Sequence, residues 1–274
     1  MSMKASITAI PTGIHMDDYD FLFTALTGAG LVAVVAACIG YFQVLRSQSF
    51  AGHALSHVGF AGATGAVLVG LSPFWGLILF TGFAGLAMGA LSEKLAGRDI
   101  AIGMILSLAL GLGLLFLHFY TAYAAQVSAL LFGNVLGIDP AMLWPLILIT
   151  ILVLTALGFM ARPLIFASLQ PELAEARDVP IKTVSMLFLG LSGLAIALST
   201  QIVGMLLVFT LLIGPAASAQ RLTCHIRSGL WLSVIFALLI AWGGIGLAII
   251  TDWPVSFCIT ALSGAVYGLS LLKT

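Results

Sequence analysis

Charge is what this sequence lacks most. Acids and bases make up 7% of its 274 residues, ten of each sign, and its mean hydropathy is +1.20. A soluble domain is nearer a quarter charged, so the composition excludes one and marks an integral membrane protein. No basic patch of the kind that binds nucleic acid is present. Cysteine is scarce too. Cys38, Cys224 and Cys258 are far apart and form no CxxC, which excludes a disulfide framework or a thiolate metal site and leaves them as small apolar residues. No GxxxxGK[ST] pattern or other nucleotide fingerprint occurs. If this protein pumps, another chain supplies the energy. The N-terminal stretch MSMKASITAIPTGIHMDDYD lacks an apolar core of signal-peptide length and is expected to be retained.

What the sequence does have is long apolar runs and 30 glycines. A spanning helix takes about 20 apolar residues, so the length allows roughly eight to ten spans. The expected fold is an all-α, polytopic helical bundle forming a single transmembrane domain over residues 1–274. The spans run near Tyr19–Leu45, Phe50–Leu71, Pro73–Leu91, Ile100–Tyr120, Pro140–Met160, Thr183–Leu198, Ile202–Ala219, Ser228–Ile250 and Pro254–Leu272. Ala122–Ile138 is too short and polar to cross and is expected to be re-entrant or to lie at the surface. The count is nine, or eight if Thr183–Ala219 holds short or broken helices. Small residues four apart at Gly85/Gly89, Gly133/Gly137 and Gly264/Gly268 suggest close helix contacts.

The bases Arg46, Lys94, Arg98, Arg162, Arg177, Lys182, Arg221, Arg227 and Lys273 fall in alternate loops. The other loops hold Asp17, Asp18, Asp20, Asp139 and Asp252, with Lys4 as their only base. By the positive-inside rule the N-terminus is outside and the C-terminus cytoplasmic.

Within this apolar chain, Arg46–Gly70 stands out. After Arg46 it has no Lys, Arg, Asp or Glu, yet it carries His53 and His57 four residues apart. On a helix that spacing stacks both imidazoles on one face. Histidine inside a bilayer marks an ion path or a polar contact within the bundle, and imidazole is a common transition-metal ligand. Two readings stand together: a shared metal on a transport path, or two side chains that only hydrogen-bond neighbouring helices. Gly190-Leu191-Ser192-Gly193 matches the GxSG of an intramembrane serine protease, but the only downstream histidine is His225, in a basic turn, so a helix-packing contact is the preferred reading. The charged connection 162–182 contains Pro171, Glu172, Leu173, Ala174, Glu175, Ala176 and Arg177, which read as a short helix with acids early, suited to dock a cytoplasmic partner. Gln201 and Asn134 are polar groups suited to line a cavity. His15, His118 and the outer acids could attract cations at an entrance; the preferred reading is ordinary surface residues.

Several segments together resemble the zinc/manganese/iron permease family of ATP-binding-cassette importers. SFAGHALSHVGFAGATGA resembles the family's second-helix histidine motif and LFGNVLGID its LFG segment. RPLIFASLQPELAEARDVP resembles its coupling stretch, and VGMLLVFTLLIGPAASAQRLT its PAA helix. The matches run in family order from about Arg46 to Thr223. The resemblance implies a transport subunit rather than an enzyme, in a bacterial cytoplasmic membrane. It implies a second permease copy, two cytoplasmic ATPase subunits and an extracytoplasmic metal-binding protein. The cargo would be a divalent metal, with no permanently bound cofactor. His57 takes the position of the motif histidine. His53 stands where the family commonly has aspartate, and nitrogen in place of anionic oxygen favours zinc over manganese or iron on ligand softness. Pro171–Arg177 matches the ATPase-coupling helix. The alternatives are an intramembrane serine protease using Ser192 and a permease of similar architecture for an iron-siderophore or cobalamin.

Overall fold

A computed structural model describes residues 16–91, 98–119, 133 and 143–272. Its elements are α1 (Met16–Leu45), α2 (Ser49–Leu68), α3 (Pro73–Leu91), α4 (Arg98–Phe119), α5 (Leu143–Leu169), α6 (Pro171–Ala176), α7 (Ile181–Val203), α8 (Met205–Leu222), α9 (Ile226–Thr251) and α10 (Val255–Leu271). There is no strand among the described residues. Long apolar segments in lipid satisfy their backbone polar groups only within helices or closed barrels, and among the described residues these segments form nine long helices and one six-residue helix, α6. Six of the nine are long and apolar enough to cross a membrane by length and composition alone. α2 falls outside that six because its glycines, hydroxyls and histidines dilute its apolar content.

Two groups of helices make the bundle. α2 packs on α3 and α4, and α3 on α7; α1 packs on α8 and α9, and α10 closes against α8 and α9. α5 bridges the groups by lying on both α7 and α1. One buried apolar cluster draws residues from all nine long helices, from Ile39 and Leu55 to Phe188, Leu211 and Ile245. The outward faces are apolar as well. Phe83, Phe159, Trp231 and Ile250 are exposed, as lipid-facing side chains are expected to be.

Small residues set the closest approaches. On α3, Gly85 abuts the Leu189 carbonyl of α7, and on α7, Gly193 abuts the Thr81 carbonyl of α3; a Cβ at either position would overlap backbone. The spacing rule holds for Gly85/Gly89 and fails for Gly264/Gly268, where an added Cβ meets nothing within 4 Å. Gly133 is not helical. It sits at φ 73° against the Val203 carbonyl. Gly137 lies outside the described residues.

Span boundaries shift outward from expectation around the charged connection. α5 does not stop near Met160 but continues through Pro163 to Leu169, so much of 162–182 is helical. α7 and α8 are full helices joined by a single residue, Gly204, at φ 85°. Gly65 of α2 lies against Phe116 of α4, and Pro73 of α3 shares a cavity wall with Pro145 of α5 and Gln201 of α7. α4 therefore ends, and α5 begins, at one end of the bundle. Residues 120–132 and 134–142 between them, Asn134 included, are outside the described residues. At the opposite end, Gln220 Nε2 donates to the Tyr41 carbonyl at 2.7 Å and Gly229 abuts the Tyr41 ring, which brings together the ends of α1 and α8 and the start of α9. That end carries Arg46, Lys182, Arg221 and Arg227; Asp252 lies at the other.

Candidate functional site

α2 begins after a tight reversal from α1. Ser47 takes φ 53°, and the Gln48 amide donates back to the Gln43 carbonyl at 2.7 Å. The hydroxyls of α2 are spent on its own backbone. Ser56 donates to the Gly52 carbonyl at 3.1 Å and Thr64 to the Phe60 carbonyl at 2.9 Å, a common use of hydroxyls inside helices. Five helices pack on α2, namely α1, α3, α4, α7 and α8. From Ala51 to Thr64 every residue is buried except two, His53 and His57. The pair forms the one partly open stripe on this stretch of helix.

The two rings meet edge to face, with centroids 4.7 Å apart and planes at 79°. His53 also packs against Phe209 of α8, at 4.8 Å and 66°. Its Nδ1 is enclosed and has no hydrogen-bond partner. Among the described residues no group of three His, Cys, Asp or Glu side chains comes together. Two imidazoles would supply at most half of a four-ligand metal shell, unlike the closed sites that store metal.

Three contributions went unseen in the sequence. Phe209 is 152 residues from His57 in the chain, and only the α2–α8 packing brings it to the pair. Gln43 is completely buried; both of its side-chain polar atoms lack partners, and it lies where a Cβ on Gly52 would be. Glycine at 52 is what admits that carboxamide beside the histidine helix. Arg46 bonds across helices to Ser168 and Ser185. No local pattern signals these contacts, because each is made between distant segments.

The coupling candidates form α6 at the basic end. Pro171 occupies the first turn, Ala174 is fully buried, and Glu172, Leu173, Glu175, Ala176 and Arg177 are exposed. Asp178, at φ 56°, closes the helix as the Val179 amide returns to the Ala174 carbonyl at 3.0 Å. Gln201 lies in the last turn of α7, at the other end, on a mostly apolar cavity of about 330 Å³ between α3, α5 and α7. Its Oε1 has no partner. His118 is exposed near the end of α4, beside Phe119.

Ser192 does not fit the protease alternative. It is fully buried and donates to the Phe188 carbonyl at 2.8 Å. Its motif neighbours Gly190 and Gly193 press on Leu86 and Thr81 of α3, and His225 is exposed at the start of α9. GLSG here is a helix-packing sequence.

Among the described residues, nine long apolar helices enclose a half-open histidine stripe, with a short exposed helix at the basic end, as in a multi-pass membrane protein. The chain belongs to the ABC 3 transport family, whose model matches residues 18–274. It is 30% identical over 253 residues to the manganese transport system membrane protein MntC of Halalkalibacterium halodurans, covering 92% of this chain and 87% of that protein. It is 28% identical to the high-affinity zinc uptake system membrane protein ZnuB of Haemophilus influenzae, over 93% of this chain and 98% of that one. Among solved structures, PsaBC from Streptococcus pneumoniae in complex with Fab superposes with a TM-score of 0.82 at 25% identity, covering 93% of this chain and 92% of that chain.

Proposed function

We propose that this chain is the membrane-spanning subunit of an ATP-driven importer of divalent transition metal ions, with zinc favoured over manganese or iron. The observation that carries this is the His53–His57 stripe, the only unburied positions between Ala51 and Thr64 of a helix enclosed by five others. Relatives named for manganese transport and for zinc uptake support the cargo class. The preference for zinc follows from two nitrogen donors, which suit zinc better than the harder manganese ion. A bare imidazole pair has little use in a permease for a siderophore or cobalamin.

In this reading the ion passes between the imidazoles and is held there only briefly, since two neutral ligands bind weakly enough for release. The basic end faces the cytoplasm of a bacterial cell. The N-terminus is then outside and the C-terminus inside. α6 docks one of two separate ATPase subunits, which hydrolyse ATP; a second permease copy completes the pathway, and an extracytoplasmic protein delivers the metal. The chain itself performs no bond chemistry. Residues 1–274 act as one permease domain, with 162–182 as its coupling segment.

The test is accumulation of zinc, manganese and iron in transporter-deficient cells expressing the chain with its ATPase and binding protein, wild type beside His57→Ala. The expected result is uptake of one metal that disappears in the variant while the complex still assembles. Wild-type uptake by His57→Ala would remove the histidines from the path.

A further inference from the structure

Arg46 is the last base before the histidine helix, one residue beyond α1, and its guanidinium bonds to α5 and α7. Nη2 donates to Ser185 Oγ at 2.6 Å and Nη1 to Ser168 Oγ at 3.2 Å. Ser168 lies near the end of α5, three residues before Pro171; Ser185 lies in the second turn of α7, nine residues after Ala176. One planar fork therefore holds the two helices that enter and leave α6. The acceptors are prepared for it. The Ser168 hydroxyl donates to the Leu164 carbonyl, which leaves its lone pairs for the guanidinium. The guanidinium carbon also lies 6.0 Å from the centre of the Phe188 ring, at the edge of cation–π range.

On the other side, Arg46 is tied to the last turn of α1, from which the chain reverses into α2. Its amide donates to the Phe42 carbonyl, and the Gln48 amide to the Gln43 carbonyl, so the Ser47–Gln48 reversal is stapled to the last turn of α1. The Gly52 amide then starts α2 from the Gln48 carbonyl at 3.2 Å, and the Gln43 side chain abuts Gly52, the residue before His53. From α6 to His53, each step is a packed or hydrogen-bonded contact.

We propose that Arg46 is the positioning residue through which displacement of α6 by the ATPase is converted into movement of the histidine helix. α5 and α7 both pack on α1, and α7 also packs on α2. Arg46 is the point where both arms of α6 meet the reversal that carries α2. Lysine is a poor substitute, because a single ammonium lacks the rigid two-pronged fork. This role rests on the transport reading above.

The experiment uses the complete transporter in proteoliposomes, comparing wild type, Arg46→Gln, Arg46→Lys and Ser185→Ala. Zinc(II) and manganese(II) uptake and ATP hydrolysis are read in the same vesicles. Arg46→Gln is expected to hydrolyse ATP while moving about ten-fold less metal per ATP, within the range of ordinary inter-site coupling. Arg46→Lys and Ser185→Ala should fall between it and wild type. A purely structural role would lower hydrolysis and uptake together. Wild-type metal per ATP in Arg46→Gln overturns the proposal. If Arg46→Gln does not assemble, wild-type coupling in both milder variants overturns it equally.

A second readout does not depend on the cargo. Cys38, Cys224 and Cys258 are replaced, and spin labels are placed at Thr183→Cys in the first turn of α7, the arm that leaves α6, and at Val69→Cys just beyond α2, both exposed positions outside the docking helix. The nucleotide-dependent distance change seen in wild type should be lost in Arg46→Gln. That loss supports the proposal even if wild type moves neither metal, an outcome that would sink only the cargo assignment. An unchanged distance shift in the variant overturns the role of Arg46.

Discussion

The His53 ring stands against Phe209 of α8, centroids 4.8 Å apart, while its other neighbour is His57 at 4.7 Å. Phe209 therefore limits how far His53 can swing from its partner imidazole. Phe209→Ala is expected to lower thermal stability by about 2 kcal/mol, less than a fully buried phenylalanine because the ring is only partly enclosed. It should also reduce metal uptake while leaving assembly with the ATPase intact. Thermal unfolding in detergent and vesicle uptake measure the two effects; unchanged uptake would show that His53 needs no backing.

The identity of residue 53 should set metal preference. His53→Asp replaces a neutral nitrogen donor with an anionic oxygen, which suits the harder manganese ion better. The expected outcome is a rise in manganese uptake relative to zinc, measured by competition between the two ions. An unaltered ratio would place selectivity elsewhere in the complex.

The α3–α7 contact predicts opposite effects for two glycines. Gly193→Val would drive a side chain into the Thr81 carbonyl and should cost about 1–3 kcal/mol. Gly82→Ala faces open space and should be neutral or stabilising by up to about 1 kcal/mol through helix propensity. Ser192→Ala, next to Gly193, removes only a bond to its own helix, and uptake should be retained. Loss of function in Ser192→Ala with normal stability would reopen a chemical role for that hydroxyl.

α6 offers a test of partner docking. Glu175→Lys and Leu173→Ala alter exposed side chains and should leave the melting temperature of the isolated chain nearly unchanged. Both should reduce the ATPase recovered with the chain in pull-downs. Full recovery would shift the docking surface to another part of the basic end.

Much of this architecture was legible in one dimension. Apolar runs of 17 to 30 residues, punctuated by Pro73, Pro254 and charged turns, define the nine long helices among the described residues, because a backbone in lipid has few alternatives. The alternation of basic loops predicts which ends lie together, and the observed grouping of Arg46, Lys182, Arg221 and Arg227 agrees. The 3.6-residue helical repeat places His53 and His57 on one face before any coordinates exist. Period alone cannot say what faces them. Gly264 and Gly268 carry the same spacing as Gly85 and Gly89, yet only the latter pair meets a neighbour, since contact depends on which helix lies opposite.

By itself, then, the sequence determined the membrane class, the helices and the presence of an imidazole pair, all consequences of local composition and helical periodicity. The tertiary structure alone decided that the pair is the partly open stripe of an otherwise buried stretch, that Phe209 backs it and that Gln43 fills the space at Gly52. It also decided that Arg46 joins Ser168 to Ser185. These depend on contacts between residues 9 to 156 positions apart, which close packing of several helices creates and no single segment encodes.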